Sequence, residues 1–153
     1  MAQRREIREV VLQALFAEEV SGNKWKQVLS TIIKPKLNKD KSALKFAERL
    51  FLKTVKSKEE LDNIIQDHIK NWNIHRLATV DKLILRLALC EFLNFEEIPT
   101  KVTINEAIEI AKRFSTQKSG NFVNGILDAA LERLQKEDRI HKTGRGLIES
   151  SLN

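Results

Sequence analysis

Three arginines at the start of the chain, Arg4, Arg5 and Arg8, fall within about 100° of one face if the segment is helical. They then occupy the helix end where the backbone dipole is already positive. Each loses about 0.3–1 kcal/mol there, and Arg4 and Arg8 also repel as an i, i+4 pair. A bound anion reverses that balance, and the planar guanidinium fork suits phosphate. The competing reading is a frayed first turn with solvated arginines, Arg5 pairing with Glu9. Beside this stripe lie Leu12 and Phe16, one turn apart. They form either a second core face or an apolar patch for a partner or for a base to stack on.

A second stretch with chemical potential is Lys118-Ser-Gly-Asn-Phe-Val-Asn-Gly-Ile-Leu-Asp128. Its Asn-Gly pair alone signals a hairpin turn. However, Phe122, Val123, Ile126, Leu127, Ala130, Leu131 and Leu134 keep the spacing of one helix face, so Gly125 lies inside a helix. That choice costs about 1 kcal/mol relative to alanine. Asn121, Asn124 and Asp128 take the polar side, and Gly125 leaves a shallow notch beside the Phe122 ring. Either another helix packs into the notch, or a backbone or base approaches it. In the second case Lys118, Asn121 and the unpaired N–H groups of the helix start serve as donors.

Catalytic patterns are missing from the sequence. There is no G-x-G-x-x-G, no G-x-x-x-x-G-K, no G-x-S-x-G and no cysteine pair. His68 and His75 stand about 10 Å apart if one helix spans both, too far to share a metal. No catalytic residue, metal site or cofactor is expected. Arg86 and Glu91, the only charges between Leu83 and Leu93, read as a buried structural pair, with each other or with Glu106. Cys90 reads as a small core residue, which points to a reducing, intracellular compartment. With no secretory signal and no apolar run of the ~18 residues a span needs, a soluble cytoplasmic protein is expected. The net charge of +6 and pI of 9.5 favour a polyanionic partner modestly.

These residues need helices to position them. Two prolines and five glycines in 153 residues, with no run of period two, predict an all-α fold. The spacing predicts a helix over about Arg4 to Glu19, a second from Lys24 to Pro35, a third from Ser42 and a fourth after Ser57. From Thr79 to Leu93 almost no polar face remains, which marks a central helix. After Ile98-Pro99, Thr103 and Glu106 form the start signal of the next helix, and the last begins at Ser119. Residues 1–137 read as one domain, and the polar segment 138–153, with Gly144 and Gly146, reads as a frayed tail.

Taken in order and spacing, several motifs resemble the bacterial transcription antitermination factor NusB family. They are Arg4-Arg5-x-x-Arg8-Glu9 with Leu12-Gln13-Ala14-Leu15, Asn71-Trp72 with Arg76-Leu77, and Leu85-Arg86-Leu87-Ala88 ahead of Glu91. Ile98-Pro99, Lys101 to Ala107 with Ala111-Lys112, and Phe122 to Asp128 complete the set, covering about residues 3 to 135. The resemblance implies a single compact domain of about seven helices that binds single-stranded boxA RNA of ribosomal transcripts together with ribosomal protein NusE. That complex loads on RNA polymerase and suppresses premature termination. By the same resemblance Arg4, Arg5, Arg8, Lys118, Asn121 and Phe122 contact RNA, while Phe16 and Asp81 lie on the protein-partner side. Two other functions compete. One is a module related to the N-terminal domain of ribosomal RNA cytosine methyltransferases, for which this chain offers no nucleophile. The other is a helical scaffold that binds protein alone. Whether the chain forms a homodimer is open.

Overall fold

The computed structural model describes residues 3–70 and 72–147. Asn71, part of one motif above, and 148–153 of the tail lie outside the described residues. Among the described residues the chain is all-α, with seven helices and no strand. The helices fall into two compact units, residues 1–57 and 58–153.

In the first unit α1 (Arg4–Ser21) buries Ile7, Val11, Ala14 and Leu15 at helical spacing. Leu12 is buried as well, so it belongs to the core. Gly22 ends the helix at φ 68°, a left-handed conformation that glycine adopts without steric cost. The second helix, α2, covers 25–37 and does not stop at Pro35 as expected. It consists of an α turn Trp25–Val28, a π turn Leu29–Ile33 and a further α turn Lys34–Leu37. The wider turn explains the continuation. Lys34 N–H bonds the Leu29 carbonyl five residues back, and Pro35 then enters at the start of the next turn, where its missing N–H is tolerated. Asp40 caps α3 (Lys41–Lys56), its carboxylate accepting from Ala43 N–H at 3.0 Å.

The second unit is built around α5 (Thr79–Asn94), which α4 (Lys58–Asp67), α6 (Thr100–Phe114) and α7 (Gln117–Lys136) all touch. Leu83, Ile84, Leu85, Leu87, Ala88, Leu89, Cys90 and Phe92 are all buried, which is the central role predicted for this helix. Its charges reach residues of the neighbouring helices. Arg86 reaches Asp62 of α4 through two hydrogen bonds, 2.6 Å from Nε and 2.7 Å from Nη2. Glu91 accepts from the Thr103 hydroxyl at 2.8 Å. Thr103 is therefore an interior residue of α6, which starts at Thr100 behind Pro99. Short 3₁₀ turns cover Ile74–Arg76 and Gly144–Leu147.

The segment after Glu137, expected to fray, makes specific bonds as far as it is described. Arg139 pairs with Glu60 at 2.6 Å, and Thr143 N–H donates to the Glu96 carbonyl at 3.0 Å. The Lys142 ammonium donates to the Glu91 and Phe95 carbonyls at 3.1 and 2.8 Å. A cation thus satisfies acceptors at the C-terminal end of α5, where the helix dipole is negative.

Candidate nucleic-acid interface

Arg4 and Arg5 are exposed in the first turn of α1. Arg4 lies over the Phe46 ring of α3, its guanidinium carbon 3.9 Å from the centroid. A cation held flat on an aromatic face loses less freedom when it meets a phosphate than one that samples solvent. Arg8 corrects the expected stripe. It is 2% exposed, its guanidinium carbon 5.8 Å from the same ring, and so presents no surface to a phosphate. Its aliphatic stem and planar head pack inward beside Phe46, which the count of charges along one helix face could not reveal. Farther along α1, Phe16 is 42% exposed and Val20 56%, so Phe16 is surface and not a second core face.

The other expected residues belong to the second unit. Thr116 caps α7, its hydroxyl accepting from Ser119 N–H at 3.1 Å, which starts the helix at Gln117. Lys118 and Asn121 are exposed in this first stretch, and Phe122 is half-buried. Gly125 answers the question raised by its Asn-Gly pair. A β-carbon built there meets nothing within 4 Å, so no helix fills the notch. The close helix approach lies one turn earlier, at Gly120, where a β-carbon would stand 2.9 Å from Lys112 Cγ of α6.

Phe122 lines a cleft of about 470 Å³ together with His68, Trp72, Arg76, Asp81 and Ile126. Asp81 is 9% exposed and its Oδ2 accepts from the Ser119 hydroxyl at 3.2 Å, while Oδ1 is buried with no hydrogen-bond partner. Burial pushes the Asp81 carboxyl above the usual 3.8, and the Ser119 hydrogen bond only partly opposes that rise. The His68 ring donates from Nδ1 to the Ile64 carbonyl at 2.8 Å, which leaves Nε2 as an acceptor in the neutral ring. Asp81 and Phe122, expected on different surfaces, therefore share one cleft. Trp72 and Arg76 received no role from spacing, although an indole 58% exposed beside a helix-poor connection marks a surface feature. Among the described residues no group of three or more His, Cys, Asp or Glu gathers as a metal site. No described helix is long and apolar enough to cross a membrane.

Comparison with known proteins adds an independent line. The family model described as the NusB family matches residues 5–132. A transcription antitermination protein NusB of Salinibacter ruber is 49% identical over 148 residues, 97% of this chain and 92% of that relative. NusB of Chloroherpeton thalassium is 42% identical over 95% of this chain and 69% of the relative. Among solved structures, T. maritima NusB superposes with TM-score 0.79 at 39% identity, covering 86% of this chain and 92% of that one. A crystal structure of antitermination factors NusB and NusE in complex with dsRNA aligns with TM-score 0.78 at 26% identity, over 85% and 96% of the two chains.

Proposed function

This chain belongs to the NusB family, and on that premise we propose that it is a non-enzymatic, cytoplasmic RNA-binding antitermination factor. It binds boxA-type single-stranded RNA together with ribosomal protein NusE and enters the RNA polymerase antitermination complex during ribosomal RNA synthesis. The observation that carries this reading is the start of α7. Exposed Lys118 and Asn121 flank a half-buried Phe122, and the open notch at Gly125 gives a base or backbone room to approach. Arg4 and Arg5 supply phosphate contacts in the other unit, with Arg8 beside the same Phe46 ring. Phe16 offers the exposed ring for the protein partner. The relative solved with NusE and dsRNA is consistent with both kinds of partner.

Titration with boxA-like single-stranded RNA, with and without NusE, at several salt concentrations tests the proposal. Affinity should fall steeply with salt, and Arg5→Ala should make the slope shallower by about 0.7, the counterion released by one phosphate contact. Binding of NusE alone, with no RNA affinity at any salt concentration, would leave a protein-binding scaffold instead.

A further inference from the structure

The two units carry charge very differently. Residues 1–57 hold thirteen lysines and arginines against six aspartates and glutamates, whereas residues 58–153 hold fourteen against fifteen. The whole positive excess of the protein therefore belongs to the first unit. In the second unit exposed cations are neutralised in place, as Arg133 is by Asp67 and Arg139 by Glu60. In the first, Lys24, Lys26, Lys45, Lys53 and Lys56 are exposed and make no ion pair to a described residue. Helix geometry gathers several of them. On α3, Lys45, Arg49, Lys53 and Lys56 stand at i, i+4, i+8 and i+11, all exposed and within about 80° of one another, along about 16 Å of the helix. Glu48, the one acid on α3, points about 100° away from the middle of that row. Like charges one turn apart destabilise a helix, so the row costs the fold stability that a bound polyanion would return. An aromatic ring marks each end. Phe46, under Arg4 at 3.9 Å, adjoins Lys45 in the chain. At the other end half-buried Trp25 of α2 has the Lys56 ammonium 5.8 Å and the Lys26 ammonium 5.6 Å from its ring centroid.

Resting on the RNA reading above, we propose that this side of α3 is a second RNA track, which holds the phosphates of single-stranded nucleotides flanking the boxA-type element and ends at Trp25. Charge complementarity selects the occupant, because a row of cations repeated along a helix matches the regular negative charge of a nucleic-acid backbone. The track does not read sequence. A lysine ammonium is a point charge on a flexible stem that fits any phosphate, and phosphate contacts position a strand without specifying its bases. The Trp25 ring supplies a stacking face for one base where the row ends, a contact open to an unpaired nucleotide of any identity. Flanking RNA thus adds affinity and salt dependence to the complex, and specificity stays with the boxA-type element.

The test compares a boxA-like core RNA with the same core extended by about eight uridines at its 5′ or at its 3′ end, each titrated with the full chain and NusE at several salt concentrations. At low salt one of the extended strands should bind the wild-type protein about 10-fold tighter than the core, with a logarithmic salt slope steeper by about 0.7 for each added phosphate contact. The double variant Lys53→Gln/Lys56→Gln, at exposed positions, should remove that advantage and leave affinity for the core unchanged. Lys26→Gln should reduce the advantage. Equal wild-type affinity for the core and both extended strands overturns the inference while the RNA reading stands. So does an advantage that survives the double substitution with its salt slope intact. A double variant that loses binding to polyglutamate, the probe for an acidic protein, but keeps the advantage of the longer strand overturns it too, and gives the row to a protein partner. If no strand binds at all, the RNA reading itself falls and takes this one with it.

Discussion

Arg86 and Asp81 are both buried charges on α5, and their surroundings differ in one respect. The Arg86 guanidinium meets both carboxylate oxygens of Asp62, a fork-to-fork pair that leaves neither oxygen of Asp62 idle. Asp81 has spent one oxygen on Ser119 and holds the other buried without a hydrogen-bond partner. A satisfied buried charge reports on folding. One that is half satisfied and sealed from solvent reports on stability given up within the fold.

The comparison breaks if the two residues respond alike to substitution. Arg86→Ala should cost about 3 kcal/mol of stability, the low end of the range for a broken buried pair, because the Asp62 side chain left behind is 26% exposed and can hydrate. Denaturant unfolding measures that loss, and RNA affinity per folded molecule should not change. A variant that unfolds like the wild type yet fails to bind RNA would move Arg86 from the fold to the site.

Phe122→Ala should show the opposite balance. The ring is half-buried, so its removal should cost about 1–2 kcal/mol of stability, less than the ~3–5 kcal/mol of a fully buried ring. Affinity for single-stranded RNA should fall by about 1–3 kcal/mol, the value of one lost base stack. Unfolding and titration on the same preparation separate the two. A larger stability loss with unchanged affinity per folded molecule would return the ring to the core.

The Asp81 side of the comparison is sharpened by pH. Its folded carboxyl titrates above 3.8, so between that value and the folded one the folded chain holds more protons than the unfolded chain. Stability contributed by the protonated form is complete below 3.8 and is lost as pH rises through the folded value. Asp81→Asn cannot lose a proton. Its stability relative to wild type should therefore grow as pH rises from below 3.8 toward neutrality, then level off. Paired denaturant melts across that range measure the difference, which cancels the other carboxylates common to both proteins. A flat difference would show that burial does not perturb the carboxyl, and one that shrinks with rising pH would show it to be held by interactions that favour its charge.

How far the sequence disclosed all this follows from what each signal depends on. Helix faces repeat along one chain, so the interior side of α1 and the all-round burial of α5 could be read from spacing alone. Partner choice depends on which residue a different helix brings near. Hence the Asp62 pairing of Arg86 went unread, and Thr103 read as a cap when it serves Glu91. The burial of Arg8 was hidden for a similar reason, since it depends on what other helices, such as α3 with Phe46, bring beside that position. The Lys142 bonds to the end of α5 join residues far apart in the chain, and polarity plus two glycines gave no hint of them. The family resemblance named Phe122 and Asp81 but placed them on separate surfaces, whereas the lining of one cleft joins them to Trp72 and Arg76.

The two glycines of α7 give the smallest effect and the finest version of the same contrast between filled and open space. Alanine at Gly125 meets nothing within 4 Å and should gain up to about 1 kcal/mol from helix propensity. Alanine at Gly120 gains the same propensity but sets a methyl 2.9 Å from Lys112 Cγ and 3.6 Å from Ile108 Cγ2. The Lys112 side chain is 36% exposed and can swing aside, giving up its 3.7 Å contact with Glu109, so the crowding should cost about 1–2 kcal/mol and cancel or exceed the gain. Thermal unfolding should thus rank Gly125→Ala above wild type and Gly120→Ala level with it or below. RNA titration reverses the order of interest, because the added methyl at Gly125 stands in the notch where a base or backbone must approach. Greater stability with weaker RNA binding in Gly125→Ala would place the ligand against that face of α7. Greater stability with unchanged binding would leave the notch empty in the complex and confine recognition to the cleft on the Phe122 side.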